Sequence, residues 1–183
     1  MNRRSLLQTA VLGAGIFLLA PTRVHALGGK SPEIGIKAPD FDLPGFSSVN
    51  PSQEHWSLSG LQGRWLVVYF YPRDFTSGCT IEAHGFHDAL PAFRKKGAEV
   101  VAISADSVSD HESFCSSEEL KFPLLSDPDG DVSKAYGSWM APYSMRHTFL
   151  IDPESVLRAV WTGVRPVGHA NEVLTRLNEL QAS

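Results

Sequence analysis

"RWLVVYFYPRDFTSGCTIE", Arg64 to Glu82, decides the fold. Its first half is a near-continuous apolar, β-branched and aromatic run, the pattern of a central strand buried on both faces of a sheet. Its second half leaves that strand through Pro72 and reaches Cys79 where a helix is about to begin. The first N–H groups of a helix lack intrahelical partners and carry partial positive charge, so a thiolate placed there is stabilised. Thr76 stands three residues earlier, placed to cap the helix with its hydroxyl or to aim it at the sulfur or its substrate. Gly78 permits close backbone approach and Pro72 fixes the exit from the strand. The alternative is that Cys79 is a small buried hydrophobe, a common fate of free cysteine.

Working outward, the spacing predicts a helix from about Cys79 to Lys96, with Phe86, Leu90 and Phe93 on one face and Pro91 kinking or dividing it. "AEVVAISAD" (98–106) is a second buried strand, "SVSDHESFCSSEEL" (107–120) a short helix and "KFPLLSD" (121–127) a short strand ending in a turn. "DPDGDVSKAYGSW" (127–139) gives a turn and one or two helical turns. "HTFLI", the turn "DPES" and "VLRAVWTG" read as a hairpin, and "HANEVLTRLNELQ" (169–181) as an amphipathic helix. Upstream, an extended segment falls around Phe41 to Leu43 between Pro39 and Pro44, followed by loop from 45 to 60 with "WSLSGL" an edge strand and turn. The expectation is an α/β sandwich, with helices on both sides of a mixed sheet, as a single domain over residues 27–183.

Residues 1–26 differ in composition. Arg3 and Arg4, an apolar run from Ala10 to Ala20, Pro21 and a small-residue end at Ala26 are ordered as in an export signal. The run falls short of the ~20 residues of a bilayer-spanning helix, so cleavage is expected, with no stable membrane association afterwards. The Arg-Arg pair in "NRRSLLQ" resembles a twin-arginine signal. The destination is the periplasm, or the thylakoid lumen in an organism with thylakoids. Cleavage takes away Arg3, Arg4 and Arg23 and no acid, leaving 13 basic against 20 acidic side chains, a formal charge of −7. Such a surface repels phosphate backbones, and nucleic acid is excluded as a partner. Two cysteines make no disulfide scaffold, though in an exported protein they can pair.

"PRDFTSGCTIE" resembles the peroxidatic loop of the peroxiredoxins, whose core Pro-x-x-x-Thr-x-x-Cys falls on Pro72, Thr76 and Cys79. The bacterioferritin-comigratory, or Q-type, branch is the nearest pattern, with a loop usually reading Pro-Lys-Asp-x-Thr-Pro-Gly-Cys-Thr. Ser77 here replaces its second proline and Arg73 its lysine; neither removes an atom the chemistry needs. "IGIKAPDFDLPG", "VVAISADS", "FPLLSDPDG" and "RHTFLIDPE" continue the resemblance over nearly all of the chain beyond Ile34.

The resemblance implies a thioredoxin-like fold and thiol-dependent reduction of hydrogen peroxide or organic hydroperoxides, without metal or organic cofactor. It makes Cys79 the peroxidatic thiol, with the Thr76 hydroxyl, the Cys79 N–H and the Arg146 guanidinium as donors toward the transition state, whose negative charge spreads over sulfur and both peroxide oxygens. A guanidinium stays charged and presents several N–H groups. Glu82 matches the acidic or amide position after the cysteine, to orient Arg146, or else serves as a first-turn carboxylate. Many Q-type members carry a resolving cysteine five residues after the first, where this chain has His84. A second pattern in the branch places it in the next helix, and Cys115 matches that. The implied oxidised form is an intramolecular Cys79–Cys115 disulfide, which needs Cα atoms within ~4.4–6.8 Å and so a local opening if the reduced protein holds them farther apart. Otherwise Cys115 is a half-buried residue beside Phe114 and an external thiol resolves Cys79.

His84 and His87, three residues apart near Cys79, fall short of a zinc set of three or four ligands. Trp139, Met140, Tyr143 and Met145 wall the pocket or simply pack. A thioredoxin-like reductant is the expected partner besides the peroxide, and two thiols in one chain point to a monomer. A protein disulfide oxidoreductase and a non-enzymatic redox sensor or holdase are the competing classes.

Overall fold

The structure, a computed structural model, describes residues 29–182. The proposed export signal therefore lies outside the described residues. Among the described residues are nine strands: β1 (Asp42–Phe46), β2 (His55–Ser57), β3 (Trp65–Phe70), β4 (Ala98–Ser104), β5 (Leu124–Ser126), β6 (Trp139–Met140), β7 (Tyr143–Ser144), β8 (His147–Ile151) and β9 (Leu157–Trp161). The helices are α1 (Ser77–Lys95), α2 (Val108–Ser117), α3 (Asp131–Ala135) and α4 (His169–Ala182).

Seven strands form one mixed sheet in the order β2-β1-β5-β4-β3-β8-β9. β3 and β5 flank β4 in parallel, joined to it through α1 and α2; the other pairings are antiparallel. The apolar run at 65–71 thus holds an interior strand whose alternate residues feed two cores. Val67, Tyr69 and Tyr71 pack with Phe86 and Phe93 of α1, Phe114 and Cys115 of α2, and Val173 and Leu177 of α4. Leu66, Val68 and Phe70 pack on the other face with Ile103, Phe149 and Tyr136. Helices do lie on both sides, but unequally. The second face is closed by the five-residue α3, by Trp56 of β2 and by irregular segments carrying Ala38, Phe41 and Leu58.

Three elements differ from expectation. α1 runs undivided through Pro91. A helical proline costs ~3 kcal/mol, whereas burying Phe86, Leu90 and Phe93 is worth ~1.5–3 kcal/mol each, so packing outweighs the break. β1 extends past Pro44 to Phe46; it meets β5 only over Gly45 and Phe46, so the proline's missing N–H lies outside that ladder. Finally, Trp139–Met140 and Tyr143–Ser144 pair as a small separate hairpin just before Arg146.

Candidate active site

Cys79 lies in the first turn of α1, whose N-cap is Thr76. Its side chain is buried, 1% exposed, yet it is not merely a core residue. Arg146, one residue before β8, donates from Nη2 to Cys79 Sγ at 3.3 Å. β8 pairs with β3, and β3 leads into the Cys79 loop, so the sheet brings together residues 67 positions apart. The approach is tight. A Cβ on Gly78 would meet Arg146 Nη2 at 3.3 Å, which is why the smallest residue sits there.

The same guanidinium donates from Nη1 to Glu82 Oε2. Glu82, at 1% exposure, is far from the first-turn surface carboxylate offered as its alternative role, and α1 has no acid in its first turn. Burial pushes the Glu82 carboxyl up to about 7, against the charge and hydrogen bond of Arg146, which pull it down. Its other oxygen, Oε1, is buried with no partner among the described residues. Burial lowers Arg146, but Glu82 and Cys79 together prevail and hold it above the usual arginine range. Arg146 therefore faces one sulfur and one carboxyl with a permanent charge.

Thr76 caps α1 only through its backbone. Its carbonyl accepts from the Thr80 N–H at 2.9 Å, but its hydroxyl donates to the Arg73 carbonyl at 3.0 Å, neither capping the helix nor bonding the sulfur. This corrects the expected capping, and the reason is the loop: Phe75, at φ 59°, folds it back so that Arg73 O comes within reach of Thr76. Pro72 stands between buried Tyr71 and this turn.

Cys115 is fully buried in α2, donating its thiol to Leu120 O at 3.3 Å. It is not the half-buried residue of the alternative reading, and burial pushes its thiol up. Both cysteines are free thiols and face the same core. His84 bonds Glu118 through Nε2 at 2.8 Å, tying α1 to the end of α2. Among the described residues no group of three or more His, Cys, Asp or Glu is arranged to hold a metal ion, and no helix is long and apolar enough to cross a membrane.

Three buried groups near the site go unassigned in the sequence reading. Asp74 accepts from the Tyr71 hydroxyl at 2.6 Å and lies 2.8 Å from His111 Nδ1. Burial, then the Asp74 charge, keep Tyr71 protonated and so a donor. Nothing local signals this cluster, because His111 is 37 residues from Asp74.

Residues 34–160 match the AhpC/TSA family. The chain belongs to that family. Among its relatives is the peroxiredoxin Bcp of Xanthomonas campestris, 39% identical, the match covering 78% of this chain and 92% of that one. A cysteine mutant of Xylella fastidiosa PrxQ superposes with a TM-score of 0.76 at 33% identity, covering 85% of this chain and all of that one. The Xanthomonas campestris bacterioferritin comigratory protein, a structure concerned with alkyl peroxide reduction, gives a TM-score of 0.69 at 35% identity, over 75% of this chain and 91% of that one. The chain is thus a thioredoxin-like peroxiredoxin of the Bcp/PrxQ kind, a thiol peroxidase.

Proposed function

We propose that this peroxiredoxin reduces hydrogen peroxide and organic hydroperoxides through Cys79 and closes the half-cycle with Cys115. The observation that carries this reading is Arg146 Nη2 at 3.3 Å from the Cys79 sulfur, at a helix N-terminus. The thiolate attacks one peroxide oxygen; an S–O bond forms as the O–O bond breaks. Sulfur is oxidised to sulfenic acid, and the second oxygen leaves as hydroxide or alkoxide, taking a proton to become water or alcohol. Negative charge spreads over sulfur and both oxygens on the way, and the Arg146 guanidinium and the free N–H groups of the first turn of α1 stabilise it. The Cys115 sulfur then displaces the sulfenic oxygen, forming S–S and releasing water. A thioredoxin-like dithiol returns both cysteines to thiols and leaves as a disulfide.

Pro72, Thr76 and Glu82 are supporting residues in this scheme: the first two shape the loop, and the third orients Arg146. The order of charged, apolar and small residues in 1–26 supports export to the periplasm or a thylakoid lumen. Two thiols in one chain support a monomer.

Mass spectrometry of the reduced mature protein after one equivalent of hydrogen peroxide tests the scheme. The expected product is two hydrogens lighter, with the Cys79 and Cys115 peptides linked. A lasting sulfenic acid on Cys79 with Cys115 free would refute the resolving role alone; an unoxidised Cys79 would refute the whole scheme.

A further inference from the structure

His111 has no place in the chemistry above, yet among the described residues it is the most completely buried imidazole, at 0% exposure. Its Nδ1 lies 2.8 Å from Asp74 Oδ2, and a carboxylate can only accept, so Nδ1 carries the hydrogen. Its other nitrogen, Nε2, is buried without a partner among the described residues. A leucine or phenylalanine could occupy the space without burying that nitrogen. The imidazole is therefore accounted for by what Nδ1 meets, Asp74 Oδ2 at 2.8 Å and, at the longer distance of 3.4 Å, the Tyr71 hydroxyl, and the shorter contact joins two elements. Asp74 belongs to the loop that delivers Cys79; His111 belongs to α2, one helical turn before Cys115.

The surroundings hold Asp74 firmly. Its second oxygen accepts from the Tyr71 hydroxyl at 2.6 Å, and its backbone N–H donates to Asp106 Oδ2 at 2.9 Å. Beside it, Phe75 packs edge-on against Phe114 with ring centroids 5.1 Å apart. His111, Phe114 and Cys115 are the buried residues of α2, so the loop grips the helix by the face that carries the second sulfur.

We propose that His111 is a positioning residue: through Asp74 it pins α2 to the Cys79 loop and so sets how readily Cys115 leaves its buried seat for Cys79. The inference rests on the reading of Cys115 as the resolving thiol. Cys115 gives up its bond to Leu120 O when it moves. If that opening is a rapid pre-equilibrium, the rate of disulfide formation scales with the opened fraction. A hydrogen bond to a charged group holds such an equilibrium back by about tenfold or more. Loosening the pin then raises the second step while the opened fraction stays small, so the peroxide step keeps its rate.

The test uses the reduced mature protein with His111→Leu, and stopped-flow separation of the two steps. Disulfide formation about tenfold faster, with the peroxide step within about threefold of the parent, is the expected result. His111→Asn, whose amide can donate near the position of Nδ1, should return the second step toward the parent rate. A role in general stability would lower both steps together, and that outcome, or an unchanged second step, overturns the proposal. Should the leucine variant not fold, Asp74→Asn weakens the same bond from the loop side and gives the same readout.

Hydrogen exchange on the unreacted proteins keeps the pin separate from the cysteine chemistry. Amides of α2 should exchange about tenfold faster in the leucine variant, those of α4 unchanged. Equal exchange in α2 sinks the pin whatever Cys115 does. If the parent forms no Cys79–Cys115 disulfide, the resolving role and the rate claim fall together, and exchange alone decides the pin.

Discussion

Replacing Glu82 with glutamine should flatten the pH dependence of stability, and its size follows from burial. Glu82 is enclosed, its carboxyl raised from 4.5 to about 7 because burial outweighs the Arg146 charge and hydrogen bond. A carboxyl raised in the folded state binds its proton more tightly there than in the unfolded chain. Stability from this group is therefore full below 4.5 and is lost as pH rises through about 7. At ~1.4 kcal/mol per pH unit, the ionised carboxylate costs the folded state ~3 kcal/mol, of which ~2–3 appears between about pH 5 and pH 8. Glutamine keeps the size, accepts the Arg146 N–H with its carbonyl and never ionises. Near pH 5 the two proteins should differ little from this cause; near pH 8 the variant gains those ~2–3 kcal/mol on the parent. Urea denaturation of the reduced proteins at several pH values measures this, since every other titrating group cancels in the difference between parent and variant. Profiles that run parallel within ~0.5 kcal/mol would show that Glu82 titrates like an exposed carboxyl, and the account of its burial would fail.

Arg146→Lys keeps the charge but loses the fork that reaches Glu82 and the sulfur at once. The peroxide step should slow about a hundredfold in stopped-flow single turnovers, and a change below about threefold would show that the charge alone suffices. Phe86 is fully buried, stacked on Tyr69 with ring centroids 4.6 Å apart, and also touches Phe93 and His169. Phe86→Ala should cost ~3–5 kcal/mol in urea denaturation; a loss under ~1 kcal/mol would mean that α1 is not held by this face.

What the sequence makes legible here depends on how far apart the partners lie. The interior strand at 65–70 and the buried strand at 98–104 declare themselves through apolar runs, uninterrupted over 65–70 and over 100–103, a signal carried within a few residues. The capping box of α2, Ser107 with Asp110, is equally local. The β6–β7 hairpin shows no such pattern, because two-residue strands have no room for alternation. Arg146, Glu82 and Cys79 are spread over 67 positions, and only the resemblance places them together. Asp74 and His111 escape both routes: each is polar and locally unremarked, and their value appears only when β4 has carried the chain across the sheet to α2. Thr76 shows a different limit. The residue type permits a cap, a bond to sulfur or a turn, and the left-handed Phe75 before it decides in favour of the turn.

On the proposed assignment the two sulfurs need opposite treatment, and the fold supplies it. Cys79 meets a guanidinium at the start of a helix, whose first N–H groups have no intrahelical partners. Cys115 meets only enclosure: burial raises its thiol, and its bond to Leu120 O is one that a thiol can donate and a thiolate cannot. While α2 is intact, Cys115 is therefore held in the form that neither competes for peroxide nor attacks the sulfenic acid. Opening α2 changes both conditions at once, since it breaks the bond to Leu120 and exposes the sulfur to water, which returns its pKa toward the ordinary thiol value. Position and reactivity of the second sulfur are thus governed by one local equilibrium. The order of the two steps then needs no separate control: the thiol that must react second cannot ionise readily until it has left the place where it waits.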